Sequence, residues 1–232
     1  MTEGVGLAPR RALVLQHEEA TPPGRVFDWL EDHGIEGDVV RIDLADGDVD
    51  AAGYDVVIPL GSEFAPYQDE ISWIPKEAAL LREVHESGRS VFGICFGGQL
   101  LARALGGRVH RASRAEIGWF PIGSRAPELV SDGPWFQWHF DTFEAPTGAE
   151  VVALNDVGPQ AYVIGPSMGL QFHPEVTSEI MEDWVKAYRH ELDQEGVDPD
   201  RLLEETDRVV GDCAARARLL FDGFLARVAA RA

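Results

Sequence analysis

Apolar runs that alternate with stretches of helical period constrain this chain more than any other feature. "ALVLQ" (Ala12–Gln16), "DVVRIDL" (Asp38–Leu44), "YDVVIPLG" (Tyr54–Gly61) and "SVFGI" (Ser90–Ile94) read as strands. After the first run, Val26, Trp29 and Leu30 share one helix face, which Gly34 ends. Before the fourth, Ala78, Leu81, Val84 and His85 form a stripe that stops at Gly88. Strands that are apolar throughout need cover on both faces. The expectation is therefore a three-layer α/β sandwich around a central, mostly parallel sheet.

From Gly107 to Gln171 the texture changes. "GRVHRA", "EIGWFPI", "EVVALN", "QAYVIG" and "SMGLQFH" read as short strands joined by Pro, Gly and Asp turns, an antiparallel continuation of the same domain. "SEIMEDWVKAYRHEL" then places Ile180, Trp184, Ala187 and Tyr188 on one face. Asp198 and Pro199 signal a helix start. Beyond them Leu202, Thr206, Val209, Cys213, Ala217, Leu220, Phe224 and Val228 recur every three or four residues, as one long amphipathic helix. No repeat or linker divides the chain. A single domain over 1–232 is expected, with a core over about 12–178 and a C-terminal helical extension over about 179–232.

Composition narrows the function classes. The 232 residues carry 40 acidic against 20 basic side chains, a formal net charge of -20 that repels phosphate backbones, so no nucleic-acid partner is expected. Two cysteines make no disulfide framework and suit a reducing, cytoplasmic compartment. No apolar run approaches the roughly 18 residues of a membrane span, and "MTEGVGLAPRRALVLQ" lacks the apolar core and cleavage site of a secretory signal. No membrane partner is expected. His17, His33, His85, His110 and His190 form no metal spacing with one another or with cysteine, so no metal is assigned. The acid-rich Asp43–Asp55 stretch lacks the closing glutamate of a calcium loop and reads as a solvated turn.

The chemistry centres on Gly93-Ile94-Cys95-Phe96-Gly97, where the fourth apolar run meets a helical pattern. G-x-C-x-G is the thiol counterpart of the hydrolase G-x-S-x-G elbow. A sharp strand-to-helix turn lifts the nucleophile above the sheet, and side chains two residues away on either side would clash there. The helix N-terminus favours a thiolate, and N–H groups at the turn can receive an oxyanion. The pentapeptide alone leaves two readings, a nucleophile or a small buried hydrophobe. "LQFHPE" (Leu170–Glu175) supplies the complement: a strand end that delivers His173, with Glu175 across a stiff proline to hold the imidazole.

"GICFGGQ" followed by "QFHPE" resembles the class I, triad-type glutamine amidotransferases, over roughly Ala12 to Glu175. The resemblance implies a flavodoxin-like amidotransferase fold. It implies Cys95 as nucleophile, His173 as general base and acid, and Glu175 as the orienting carboxylate. It implies that Gln99 helps to hold a substrate glutamine. The family's glycine-rich loop after the third strand usually reads Gly-Gly-Pro; here it is "IPLGSEFAP", with Gly61 and Ser62 the equivalents and Glu63 where proline is common. One of their N–H groups, with that of Phe96, would form the oxyanion hole. "FQWHFDTFEAPTGAEVVA" resembles free-standing members related to the GMP synthase glutaminase domain, which implies that backbone near His139 and Phe140 meets the α-amino and α-carboxylate groups of glutamine.

The activity implied is hydrolysis of the glutamine side-chain amide to glutamate and ammonia through a cysteinyl γ-glutamyl thioester, with no cofactor. No nucleotide-binding loop is present, so ammonia would pass to a separate synthetase partner. Two alternatives stay open: a stand-alone γ-glutamyl hydrolase or peptidase with the same triad, and a non-catalytic regulatory protein of the same fold. The long last helix leaves room for a homo-oligomer or partner surface. Cys213, on its apolar stripe, reads as core.

Overall fold

The computed structural model describes residues 9–229. The alternating units appear as β1 (Arg11–Gln16), α1 (Val26–Asp32), β2 (Glu36–Arg41), β3 (Val56–Pro59), α2 (Trp73–Glu86), β4 (Ser90–Ile94) and α3 (Phe96–Ala104). Then follow β5 (Arg108–Phe120), β6 (Gly123–Ser124), β7 (Trp135–Glu144), β8 (Glu150–Leu154), β9 (Pro159–Ile164) and β10 (Ser167–Leu170). Three helices close the chain: α4 (Ser178–Ala187), α5 (Arg189–Glu195) and α6 (Pro199–Ala229).

The main sheet has eight strands in the order β2-β1-β3-β4-β10-β9-β8-β6. From β2 to β10 the neighbours run parallel. From β10 to β6 they run antiparallel. Period-two alternation splits each central strand between two cores. Ala12, Val14, Val56, Ile58 and Phe92 face one, shared with α1, α4 and α6. Leu13, Leu15, Val57 and Val91 face the other, under α2 and α3. This is the three-layer sandwich that runs of double-faced apolar strands require.

The structure corrects several local expectations. The second strand stops at Arg41, and Ile42–Leu44 form a single 3-10 turn. "GRVHRA" and "EIGWFPI" are one strand, β5, paired with β7 in a separate two-stranded ribbon. A register irregularity between Arg111 and Glu116 absorbs the intervening residues, and so hides the strand's continuity from a period-two reading. β10 ends at Leu170, so His173 stands beyond the strand, not at its tip. The helix after Thr177 breaks at Tyr188, and its buried face is Ile180, Met181, Trp184 and Val185, while Ala187 is exposed. In α2 the buried set is Ile74, Glu77, Leu81 and Val84, with Ala78 and His85 only half-buried.

The last helix follows its pattern. The Asp198 carboxylate accepts the N–H groups of Asp200 and Arg201 at 3.0 and 3.3 Å. Leu202, Thr206, Cys213, Ala217, Leu220, Phe221 and Phe224 are buried, and Val209 partly so. The side chain of Val228 lies outside the described residues, as do residues 1–8.

Candidate active site

β4 ends in an elbow. Cys95 has φ 50° and ψ −108°, the only non-glycine residue with positive φ among the described residues. The glycines around it are sterically demanded. A Cβ on Gly93 would lie 2.6 Å from the Gly97 carbonyl, and one on Gly97 only 2.1 Å from Pro59 O. One on Gly98 would lie 2.3 Å from Leu170 O. These are backbone atoms of fixed elements, so α3 can start tight against β3 and β10 only with glycine at these positions. The Gly97 N–H also donates to Leu60 O (3.0 Å), which ties the loop after β3 to the elbow.

β4 and β10 run parallel, so both chains leave the sheet at its carboxyl edge, where open α/β folds bind ligands. His173 lies beyond β10 and is fixed by its N–H, which donates to Phe136 O of β7 (2.8 Å). Its Nδ1 faces Glu175 Oε1 at 2.8 Å, and the Trp184 ring packs edge-on at 4.8 Å. Cys95, His173 and Glu175 are 5%, 3% and 2% exposed. Burial pulls the His173 pKa down, but the charges of Glu175 and Cys95 outweigh it and push the value up to about 10. The Cys95 Sγ also lies 3.8 Å from both Trp138 O and Gln171 Nε2. Cys213 sits elsewhere, on the buried face of α6, where burial pushes its thiol up to about 12.

One pocket gathers the residues singled out by sequence. Cys95, His173, Gly61, Ser62, Phe96, Gln99, His139 and Phe140 all line it. Glu175 stands behind His173. A Cβ on Gly61 would lie 2.9 Å from His173 Cε1 and 3.9 Å from Cys95 Cβ, so the loop backbone abuts the thiol–imidazole pair. Gln99 Nε2 already donates to Asp141 O (3.0 Å) and Gln171 Oε1 (3.1 Å). The His139 ring is turned from the pocket's chemistry: its Nδ1 is 3.0 Å from Asp141 O and its Nε2 3.2 Å from the buried Glu116. Burial pushes the Glu116 carboxyl up, and contacts from His139 and Asn155 outweigh that, holding it below its ordinary value. Among Trp119, Trp135 and Trp138, only Trp138 lines the pocket.

Sequence reasoning did not single out Glu18, Trp184, Tyr188 and Glu191 as pocket residues, yet all four belong to the lining. Glu18 Oε1 accepts the Glu63 N–H (3.0 Å) and the Tyr188 hydroxyl (3.3 Å). Burial, then Glu63, raise its carboxyl to about 7. Its signal was the place of "QHEE" at the carboxyl end of β1, the edge where such sites form. Among the described residues no cluster of three His, Cys, Asp or Glu side chains is placed to hold a metal ion, and no helix is long and apolar enough to cross a membrane.

A parallel sheet with a strained thiol elbow at its carboxyl edge, faced by a histidine–carboxylate pair, defines a small class of α/β proteins. Residues 26–186 match the family model for glutamine amidotransferase class-I, and the chain belongs to that family. It is 37% identical over 153 residues to the GMP synthase [glutamine-hydrolyzing] of Thermus thermophilus, covering 58% of this chain but 29% of that one. The chain thus spans about three-tenths of the length of that relative. A glutamine amidotransferase-like protein of Salmonella typhimurium, YfeJ, is 28% identical, with 76% of this chain and 80% of the relative covered. Among solved structures, a glutamine amidotransferase from Thermotoga maritima superposes with a TM-score of 0.84 at 29% identity, over 93% of this chain and 98% of that one. One from Methylobacillus flagellatus gives 0.85 at 26% identity, over 94% and 95%.

Proposed function

We propose that this amidotransferase hydrolyses the side-chain amide of glutamine, with Cys95, His173 and Glu175 as its catalytic triad. The observation that carries this reading is the strained Cys95 elbow opening into the same pocket as an imidazole whose far nitrogen is held by Glu175 at 2.8 Å. His173 takes the thiol proton, and Cys95 Sγ attacks the glutamine Cδ. The tetrahedral oxyanion is received by N–H groups of the Gly61–Ser62 loop and of Phe96. The C–N bond then breaks, His173 protonates the departing nitrogen, and ammonia leaves a γ-glutamyl thioester. Water, activated by the same imidazole, releases glutamate and restores the thiol. Gln99 and the backbone near His139 and Phe140 place the amino acid end. The acids Glu18, Glu63 and Asp141 in the lining favour its α-ammonium. The GMP synthase relative is named as glutamine-hydrolysing, and a synthetase partner that consumes the ammonia completes the reading.

The test is release of ammonia and glutamate by the isolated chain, with mass spectrometry after exposure to a glutamine-mimicking electrophile. Cys95 is expected to carry the adduct; labelling of Cys213 in its place would sink the assignment. His173→Ala should lower kcat by about a hundredfold or more while glutamine binding largely survives, and Glu175→Gln should lower it less. Turnover confined to γ-glutamyl amides of larger amines would replace the ammonia-donor reading with a stand-alone γ-glutamyl hydrolase. No turnover of any γ-glutamyl compound, alone or with a synthetase, would leave a regulatory protein.

A further inference from the structure

The most deeply buried ion pair outside the triad is His17 with Glu77, both side chains 0% exposed. His17 follows β1 and Glu77 lies on α2. His17 Nε2 stands 2.9 and 3.1 Å from the two Glu77 oxygens, and its Nδ1 stands 3.0 Å from Gly61 O. A carbonyl oxygen only accepts, so Nδ1 carries a proton and donates. Trp73 stacks on the ring at 5.1 Å and Phe96 meets it edge-on at 4.8 Å, which fixes its plane. An ion pair this dry is expensive and gives little stability over apolar packing. Its placement needs another reason.

The reason lies in the loop. Gly61 admits no side chain, because a Cβ would sit 2.9 Å from His173 Cε1. Yet glycine is the residue least able to hold a peptide plane by itself. The peptide before it is held by the Gly97 N–H on Leu60 O, and the peptide after it is held by His17 on Gly61 O. In a trans peptide the carbonyl and the following N–H point in opposite directions. Ser62 lines the pocket and His17 does not.

We infer that the buried His17–Glu77 pair is a lock on the Gly61–Ser62 peptide, keeping its carbonyl turned inward and the Ser62 N–H turned to the oxyanion. His17 is thus a positioning residue, acting through the loop and touching no substrate; the inference rests on the proposed thioester chemistry. With the lock gone the plane can flip, and a carbonyl oxygen would face the developing negative charge. Glu77, accepting from Nε2–H, keeps the ring oriented and favours the imidazolium, in which Nδ1 also carries its proton.

The experiment compares His17→Ala with His17→Asn, whose amide N–H can replace the Nδ1–H donor. His17→Ala is expected to lose at least about tenfold in kcat, towards the hundredfold of a missing oxyanion donor, with KM changed by less than about threefold. His17→Asn should recover most of that loss, which a merely structural role would not predict. In parallel, the wild-type protein is crystallised with the γ-aldehyde analogue of glutamine, whose thiohemiacetal oxygen should lie on the Ser62 N–H. A wild type that forms the adduct with that oxygen away from the Ser62 N–H overturns the lock, as does a folded His17→Ala variant of unchanged kcat. If neither variant folds, the adduct structure decides alone. A wild type that forms no adduct and turns over no glutamine overturns the proposed function itself, and the lock falls with it.

Discussion

Cys95 is held where side-chain-bearing residues are rare. A backbone at φ 50° and ψ −108° costs of order 1–3 kcal/mol for a residue with a Cβ, and the surrounding elements must impose it. They do so through Gly93, Gly97 and Gly98, each in contact with backbone that cannot yield. The usual order of alanine and glycine should therefore invert at this position. Both Cys95→Ala and Cys95→Gly remove the sulfur, but only glycine releases the strain. Urea unfolding is expected to find Cys95→Gly the more stable by about 1 kcal/mol. Alanine as the more stable variant would show that the elbow is unstrained. His173 and Glu175 depend on neighbours in a different way. The Glu175 carbonyl takes the Arg25 N–H at 3.0 Å, and a Cβ on Gly24 would lie 2.3 Å from that same oxygen. The turn before α1 thereby anchors the backbone of the residue whose carboxylate meets the imidazole.

At the scale of elements, α6 is what covers the face of the sheet behind the elbow strand. Phe92 of β4, three residues before Cys95, meets Phe224 at 4.8 Å and Phe221 at 5.5 Å, and Trp29 of α1 meets Phe221 at 5.1 Å. Trp119 of the ribbon donates to Thr206 Oγ1 at 2.9 Å, which fastens the helix at its other end. α6 therefore packs as core and carries none of the pocket lining, which the extension reaches only through Trp184, Tyr188 and Glu191, ahead of α6. Phe221 is fully buried, and Phe221→Ala should lose about 3–5 kcal/mol by leaving a cavity against Phe92 and Trp29. Chemical denaturation would measure it; a loss below about 1 kcal/mol would mean that α6 is a detachable cover, not part of the core.

For the whole molecule, these contacts argue that core and extension are one cooperative unit, and we propose a single domain on that basis. One apolar cluster runs through α1, the sheet, α4 and α6 without interruption. Calorimetry is expected to give a single transition whose calorimetric and van't Hoff enthalpies agree. Two resolved transitions, the first removing α6 alone, would divide the chain near Asp198. The net charge of -20 acts against compactness through self-repulsion, so the transition should be followed at moderate salt, where surface charges are screened.

The sequence determined the layer order and the strand-to-helix elbow at Cys95 by itself, because both are written in short-range patterns. Double-faced apolar runs dictate a covered parallel sheet, and glycines at fixed offsets from a cysteine dictate an elbow. Pattern also found His173 and Glu175, since a proline between them makes their relation local. It placed Gly61 and Ser62 at the pocket but could not say what holds them. The tertiary structure alone decided that β5 is one strand paired with β7, because pairing across a bulge overrides period. It alone brought His17 to Gly61 O and Glu77 to His17, across separations of 44 and 60 residues. Glu77 shares the buried face of α2 with Ile74, Leu81 and Val84, but a carboxylate at one position of an apolar stripe does not name its partner, and only the tertiary packing brings His17 to it.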